Sequence, residues 1–224
     1  MTIARRFRIA LFVLFLVPVG DVLAEIHLGV TGGALNSSLS GQPPTGSSFS
    51  TRKGYAVGAI VDIGISSDVR LSIQPTYQTR GANISVVVLD TVGRRTNTKR
   101  DSIAIPTTYL SIPVLVRIVA DNGLAYVTTG MELAILKKAE WRPEGEAVQD
   151  ITDELRSVDI SASLGVGIMP RISSFRSFVE LRYTQSIRNI TEPDPANASS
   201  YPRMRYSAFQ LWVGVLFPLG GKGE

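Results

Sequence analysis

Period-two alternation, connections that are short and long by turns, and a polar face carrying both signs of charge together predict an all-β chain. The fold class they define is an eight-stranded antiparallel up-and-down transmembrane β-barrel. Successive side chains of a strand point to opposite faces, so a strand held between lipid and a packed interior must alternate. No apolar run reaches the roughly 18 to 20 residues that a spanning helix needs.

The elements can be justified in chain order. Arg5, Arg6 and Arg8 precede a short apolar core over 9–17, Pro18 and Gly20 end it, and "VLAE" offers small residues for a cut. Residues 1–24 are therefore expected to be a Sec signal peptide cleaved after Ala24, 25–219 the barrel and 220–224 a short tail. Losing three arginines and Asp21 with the leader leaves 20 bases against 18 acids, which gives no argument for nucleic-acid binding. The chain has no cysteine, so after export its stability must come from a closed sheet rather than from disulfides.

Strands are expected near 26–35, 54–66, 69–83, 106–119, 124–136, 158–171, 175–189 and 205–219. The connections "SSD", "ADNG" and "ISSF" are tight. "NSSLSGQPPTGSSFSTRK", the segment ending "TVGRRTNTKRDS", "KKAEWRPEGEAVQDITDELRS" and "ITEPDPANASSYPRM" are long. Every tight turn thus falls at one end of the barrel, the pattern of short periplasmic turns and longer extracellular loops.

In the second strand Tyr55, Val57, Ala59, Val61, Ile63 and Ile65 oppose Gly54, Ala56, Gly58, Asp62 and Gly64. In the third, Val69, Leu71, Ile73, Pro75 and Tyr77 oppose Arg70, Ser72, Gln74, Thr76, Gln78 and Arg80. The fourth sets Leu110, Ile112, Val114, Val116 and Ile118 against Tyr109, Ser111, Pro113, Leu115 and Arg117. Pro113 cannot donate to the ladder, so a bulge or kink is expected there. "ADNG" then reverses the chain, because Asn and Gly tolerate positive φ. The sixth strand sets Val158, Ile160, Ala162, Leu164, Val166 and Ile168 against Asp159, Ser161, Ser163, Gly165, Gly167 and Arg171. The eighth opposes Phe209, Leu211, Val213, Val215 and Phe217 to Gln210, Trp212 and Gly214.

The aliphatic parity suits lipid, where an Arg at the midplane would cost about 2–4 kcal/mol. The other parity mixes small residues with Asp62, Arg70, Arg117, Glu132, Asp159, Arg171, Glu180 and Arg182, as a narrow, internally paired lumen would. An eight-stranded barrel is just wide enough for side chains to fill, and buried charges must be paired. A structural charge network without a conducting pore is expected. Which Arg faces which acid cannot be read, since register is not visible in one sequence. The alternative is a soluble, exported, lipocalin-like barrel with its apolar face inward around an apolar ligand.

No catalytic, cofactor-binding or metal-binding constellation emerges. His27 is the single histidine, near the short-turn end with Glu25 two residues away, and no motif ties a serine to it. Metal binding would need more nitrogen, sulfur or clustered carboxylate ligands. Two loop features are candidate contacts: the basic run Arg94, Arg95, Lys99 and Arg100, suited to phosphates of the outer-leaflet glycolipid or to an acidic partner, and Trp141, suited to a partner surface or the membrane interface.

"TTYLSIPVLVRI" resembles the Y-L-x-I-P-x-L-x-K/R strand of the PorT-like outer-membrane β-barrel proteins common in the Bacteroidetes. "GYAVGAIVDIGISSDVRLSIQPTYQTRGA", "SLGVGIMPRISSFRSFVELRYTQSIRNI" and "SAFQLWVGVLFPL" are similar, in order, to that family's second hairpin, its E-x-R-Y hairpin and its closing strand. The resemblance covers nearly all of the mature chain. It implies an eight-stranded barrel in the outer membrane of a Gram-negative bacterium, with one branch linked to type IX secretion. It supplies no catalytic motif. The chain departs from the pattern where "GGKGE" follows the closing strand, so Phe217 is not terminal. The expected protein is a non-enzymatic, monomeric barrel needing no cofactor, in contact with outer-membrane lipid. Its extracellular loops would serve envelope or secretion-machinery proteins.

Overall fold

The computed structural model describes residues 25–41, 47–89, 95–190 and 204–219, and for 86–89 and 95–102 the backbone only. The expected leader, the tail and Arg94 lie outside the described residues.

Among the described residues eleven strands form in order: β1 (Ile26–Gly41), β2 (Ser47–Gly64), β3 (Val69–Ile73), β4 (Thr76–Leu89), β5 (Arg95–Val119), β6 (Ala125–Pro143), β7 (Gln149–Asp150), β8 (Val158–Ile168), β9 (Arg171–Ile172), β10 (Phe175–Ser186) and β11 (Met204–Pro218). β3 and β4 are one wall strand interrupted at Gln74 and Pro75, and β7 and β9 are short additions at the rims. The wall is then a ring of eight antiparallel strands, each paired with its sequence neighbour. The pairing of β1 with β11 from His27↔Pro218 to Gly41↔Met204 closes the ring. Closure leaves no lipid-exposed edge, which an apolar solvent requires because it satisfies no backbone group.

The irregularity expected at Pro113 is in the neighbouring strand. Pro113 accepts from the Gln74 amide at 3.0 Å, and the ladder lapses at Gln74–Pro75. Ile73↔Val114 below and Thr76↔Ser111 above keep one register, so two facing prolines interrupt hydrogen bonds without a bulge. The "ADNG" turn closes by Gly123 N–H donating to Ala120 O, with Gly123 at φ +68.

Strand length divides the wall. β8 and β10, with 11 and 12 residues, are about as long as a tilted crossing needs, whereas β5 has 25 and β6 has 19. The surplus turns much of the expected long loops into extended hairpins. Arg95, Lys99 and Arg100 lie in such a hairpin, paired with Leu89, Val87 and Val86, rather than in an open loop.

The aliphatic parity faces outward: Val30, Val57, Leu164, Val166, Leu181 and Phe209 are all more than half exposed. The charged parity is buried, so the inward apolar face of the lipocalin-like alternative is not what the chain adopts. Some glycines on the inner parity make room for rings. A Cβ on Gly214 would sit 2.5 Å from the Phe178 ring, and one on Gly167 would sit 2.5 Å from Tyr126.

Candidate functional site

The candidate site is the filled interior, and it is built in layers from the short-turn end. Glu25 caps that end. Its carbonyl accepts from Gly64 at 3.0 Å, and its carboxylate meets Arg70 Nη1 and Arg176 Nη2, both at 3.1 Å. Burial raises the Glu25 pKa, but the Arg176 charge and the Arg70 hydrogen bond outweigh it and hold the carboxyl below its usual range. Arg70 donates from Nη2 to His27 Nδ1 at 2.8 Å. Because Arg can only donate, His27 carries its proton on Nε2, 3.4 Å from Glu25 Oε1.

Above this cap runs a chain of alternating charges. Arg70 Nε pairs with Asp62 Oδ1. Arg117 bridges the next step, with Nη1 3.0 Å from Asp62 Oδ2 and Nη2 3.3 Å from Glu180 Oε2. The Arg117 guanidinium lies 4.7 Å from the Phe178 ring and 4.9 Å from the Tyr126 ring. Tyr126 donates its hydroxyl to Glu180 Oε2 at 2.8 Å, and Arg182 Nε donates to Glu180 Oε1 at 2.7 Å. Arg182 also donates to Gln74 Oε1 at 3.0 Å and lies 5.0 Å from the Trp212 ring.

A second cluster sits higher. Arg80 lies between Glu132, at 3.5 Å, and Asp159, at 3.7 Å, and its guanidinium is 4.2 Å from the Tyr109 ring. Gln78 donates to Glu132 at 3.2 Å, while Ser161 and Ser186 donate to Asp159 at 3.0 and 2.9 Å. Above them the polar layers give way to an apolar plug of Leu39, Ala82, Ile84, Ile105, Ile190 and Tyr206.

Of the residues expected in the lumen, Asp62, Arg70, Arg117, Glu132, Asp159, Glu180 and Arg182 are buried together. Arg171 is not: β8 ends at Ile168, and Arg171 is exposed in β9 at the short-turn rim. Arg80 takes the fourth arginine's place. It is 2 % exposed, and the parity of Arg70, Ser72 and Gln74 is the signal that locates it inside. Four buried arginines thus meet four buried acids, the balance that a low-dielectric interior demands. Trp141, expected as an exposed loop anchor, is half-buried in β6 and packs on the apolar plug. Its strand continues past the "LKK" that suggested a loop.

Two cavities flank the filled section. One of about 700 Å³ opens at the short-turn mouth, beside Glu25, Arg70 and Arg176. The other, about 320 Å³, lies in the apolar plug beside Trp141 and Tyr206.

A closed ring with an aliphatic exterior and a charged, packed interior defines the class as a transmembrane β-barrel. The chain belongs to the outer membrane protein beta-barrel domain family, whose model matches residues 18–192. It is accordingly an outer-membrane protein in contact with lipid along its aliphatic wall. No curated protein matches the sequence. Among solved structures it is similar to Ail, the attachment invasion locus protein of Yersinia pestis, in complex with the heparin analogue sucrose octasulfate. The identity is 13%, over 86% of this chain and 99% of Ail, with a TM-score of 0.44. It is similar to Neisserial surface protein A at 11% identity, 86% and 97% coverage and a TM-score of 0.46. For OprG from Pseudomonas aeruginosa the values are 9%, 88%, 97% and 0.47.

Proposed function

We propose that the protein is a non-enzymatic, non-conducting barrel that serves the envelope as a structural or interaction component, working through its long hairpins. The observation that carries this reading is the continuous series Glu25–Arg70–Asp62–Arg117–Glu180–Arg182, which fills the lumen with mutually paired side chains. An ion crossing the barrel would have to break pairs whose members are then left unpaired in low dielectric, a cost of several kcal/mol each. The charges are read as structural for that reason. The single histidine is held by Arg70 and Glu25, which leaves it no serine to activate.

Removal of residues 1–24 by signal peptidase, a monomeric state and a place among PorT-like proteins serving a secretion or envelope system belong to the same proposal. The basic-then-apolar leader supports the first of these and the ordered family motifs the last. The proposal is tested on the purified protein in planar bilayers and on cell fractions. Detergent-dependent extraction, altered gel mobility without boiling and the absence of a steady conductance are expected. A stable ohmic channel would overturn the filled-lumen reading. Recovery as a soluble periplasmic protein would overturn the whole assignment.

A further inference from the structure

The outer wall carries a second polar feature, separate from the lumen. On β2, β4 and β5 the aliphatic belt ends at Tyr55, Tyr77 and Leu110, all exposed, and on β6 at Ile135, the register partner of Leu110. Just beyond it, toward the long-hairpin end, a cavity of about 430 Å³ on the wall is lined by Arg52, Lys53, Thr79, Thr108, Lys138 and Arg142, with Glu140 among them. Register places these together, since Thr79 pairs with Thr108 and Thr108 with Lys138.

Of the four register shifts in this wall, two lie farther out where β4 meets β5, between Ile84 and Ser85 and between Val87 and Leu89, and two lie at the level of the cavity. Of the latter pair, one lies in β2 between Thr51 and Ala56, the other between Thr108 and Tyr109 where β5 meets β6. A bulge re-aims the side chains around it. Here the first bulge spans Arg52 and Lys53, and the second leaves Lys137 and Lys138 exposed in succession. Glu140 holds the cations of β6 in place: Lys138 Nζ is 2.5 Å from one carboxylate oxygen, and Arg142 Nε donates to the other at 2.8 Å. Four cations, Arg52, Lys53, Lys138 and Arg142, against Glu140 and its register neighbour Asp150, whose charge also reaches Lys138, leave the cluster with a net positive charge of two. Across β1 the paired neighbours Ala34 and Asn36 are uncharged, so the cluster has an edge.

Such charges would be costly deeper in the bilayer, but at the headgroup level they meet anions. Lys offers a compact point charge and Arg a planar fork, the two donor geometries that phosphate accepts best. We propose that Lys53, Lys138 and Arg142, with Arg52 at the margin, form a binding site on the outer wall for a phosphate group of the outer-leaflet glycolipid. Tyr55 and Tyr77 lie beneath it, where the acyl region of the same lipid begins. The site faces the membrane, so its ligand arrives laterally, already embedded. This sets it apart from the basic run at 94–100.

The full-length mature protein, released from nanodiscs containing phosphorylated outer-membrane glycolipid in phosphatidylcholine, would be examined by native mass spectrometry. One retained glycolipid is expected on the wild type. K53Q/K138Q/R142Q should lower its retention about tenfold or more, since each substitution removes a charge-assisted contact. R188Q/R205Q, which changes exposed arginines elsewhere, should leave retention unchanged. An arm that needs no variant uses enzymatically dephosphorylated glycolipid, which should fail to be retained by the wild type. Equal retention of the dephosphorylated lipid, or full retention by the triple variant, would overturn the proposal. Displacement of the glycolipid by inorganic phosphate alone would also overturn it, by assigning the site to a soluble anion.

Discussion

The two ends of the lumen are built from opposite materials. At the short-turn end the mouth is charged: Glu25, Arg70, Arg171 and Arg176 line an open cavity of about 700 Å³, with His27 and Asp62 held beneath it by Arg70. At the long-hairpin end the mouth is apolar: Leu39, Ile84, Ile105, Ile190 and Tyr206 pack with Trp141 around about 320 Å³. The first end holds itself by Coulomb pairing and hydrogen bonds, whose strength depends on every partner being present. The second holds itself by apolar contact, which is non-directional and tolerates gaps at a graded cost. Substitutions of the buried charges in the series above the first mouth should therefore be severe and should depend on the partner, with the effect fading where the mouth meets water. Those at the second should be moderate and additive.

The largest effect is expected at Arg117. Arg117→Ala takes one of two arginine partners from both Asp62 and Glu180 and removes the cation between Tyr126 and Phe178. Breaking a buried pair from one side costs about 3–5 kcal/mol, and here two acids lose a partner. A large drop in the temperature at which the folded band disappears on unboiled gels is expected. Glu180→Ala should follow closely, because Glu180 also receives Arg182 and Tyr126. Glu132→Ala should be milder, because Arg80 keeps Asp159. Removing Glu180 and Arg182 together should cost less than the sum of the single changes, the signature of direct coupling. Equal, additive losses at Glu132 and Glu180 would break the contrast with the apolar end.

Ile105→Ala at the apolar end should cost about 2 kcal/mol, the low end for such a truncation, because the plug already borders a cavity. Thermal melts in detergent over a range of salt should show no change in that difference, unlike the differences at the charged end. Tyr206→Phe is a smaller perturbation. It removes the hydroxyl 3.2 Å from Thr107 while keeping the ring, and a loss of about 1 kcal/mol is expected.

What could be read in advance follows the same division. The eight strands are legible because lipid on one side and a packed lumen on the other impose alternation that a soluble sheet could relax. The identity of the lumen charges is nearly legible for the same reason. Their partners are not. Asp62 and Arg117 sit on strands separated by β3 and meet over its inner face beside Arg70, and nothing in β2 or β5 alone records the register that brings them there. Errors gather where strands end. Arg171 shares the sixth strand's inner parity in the sequence, but Met169 and Pro170 end β8, and parity has no meaning beyond the break. Trp141 and the inner residues Leu39, Ile84 and Ile105 lie toward the long-hairpin ends of their strands. Only the length of the finished strands shows that these segments still belong to the wall.

The smallest effect is expected at Glu25, where the charged end meets water. Its side chain is half exposed, so its contacts with Arg70 and Arg176 are screened and should contribute no more than about 1 kcal/mol. The sign of the pH dependence follows from the direction of its shift. A carboxyl held below its usual range by Arg176 and Arg70 stabilises the fold above the unfolded carboxyl's pKa, and that stabilisation disappears as pH falls through the folded value. Glu25→Gln should therefore lower the melting temperature slightly at neutral pH. The gap to the wild type should close once the pH is taken below the ordinary carboxylate range. A gap that instead widens in acid would mean that Glu25 is held protonated in the folded barrel. The mouth would then be governed by burial, as the apolar end is, and the distinction between the two ends would fail where it is most easily tested.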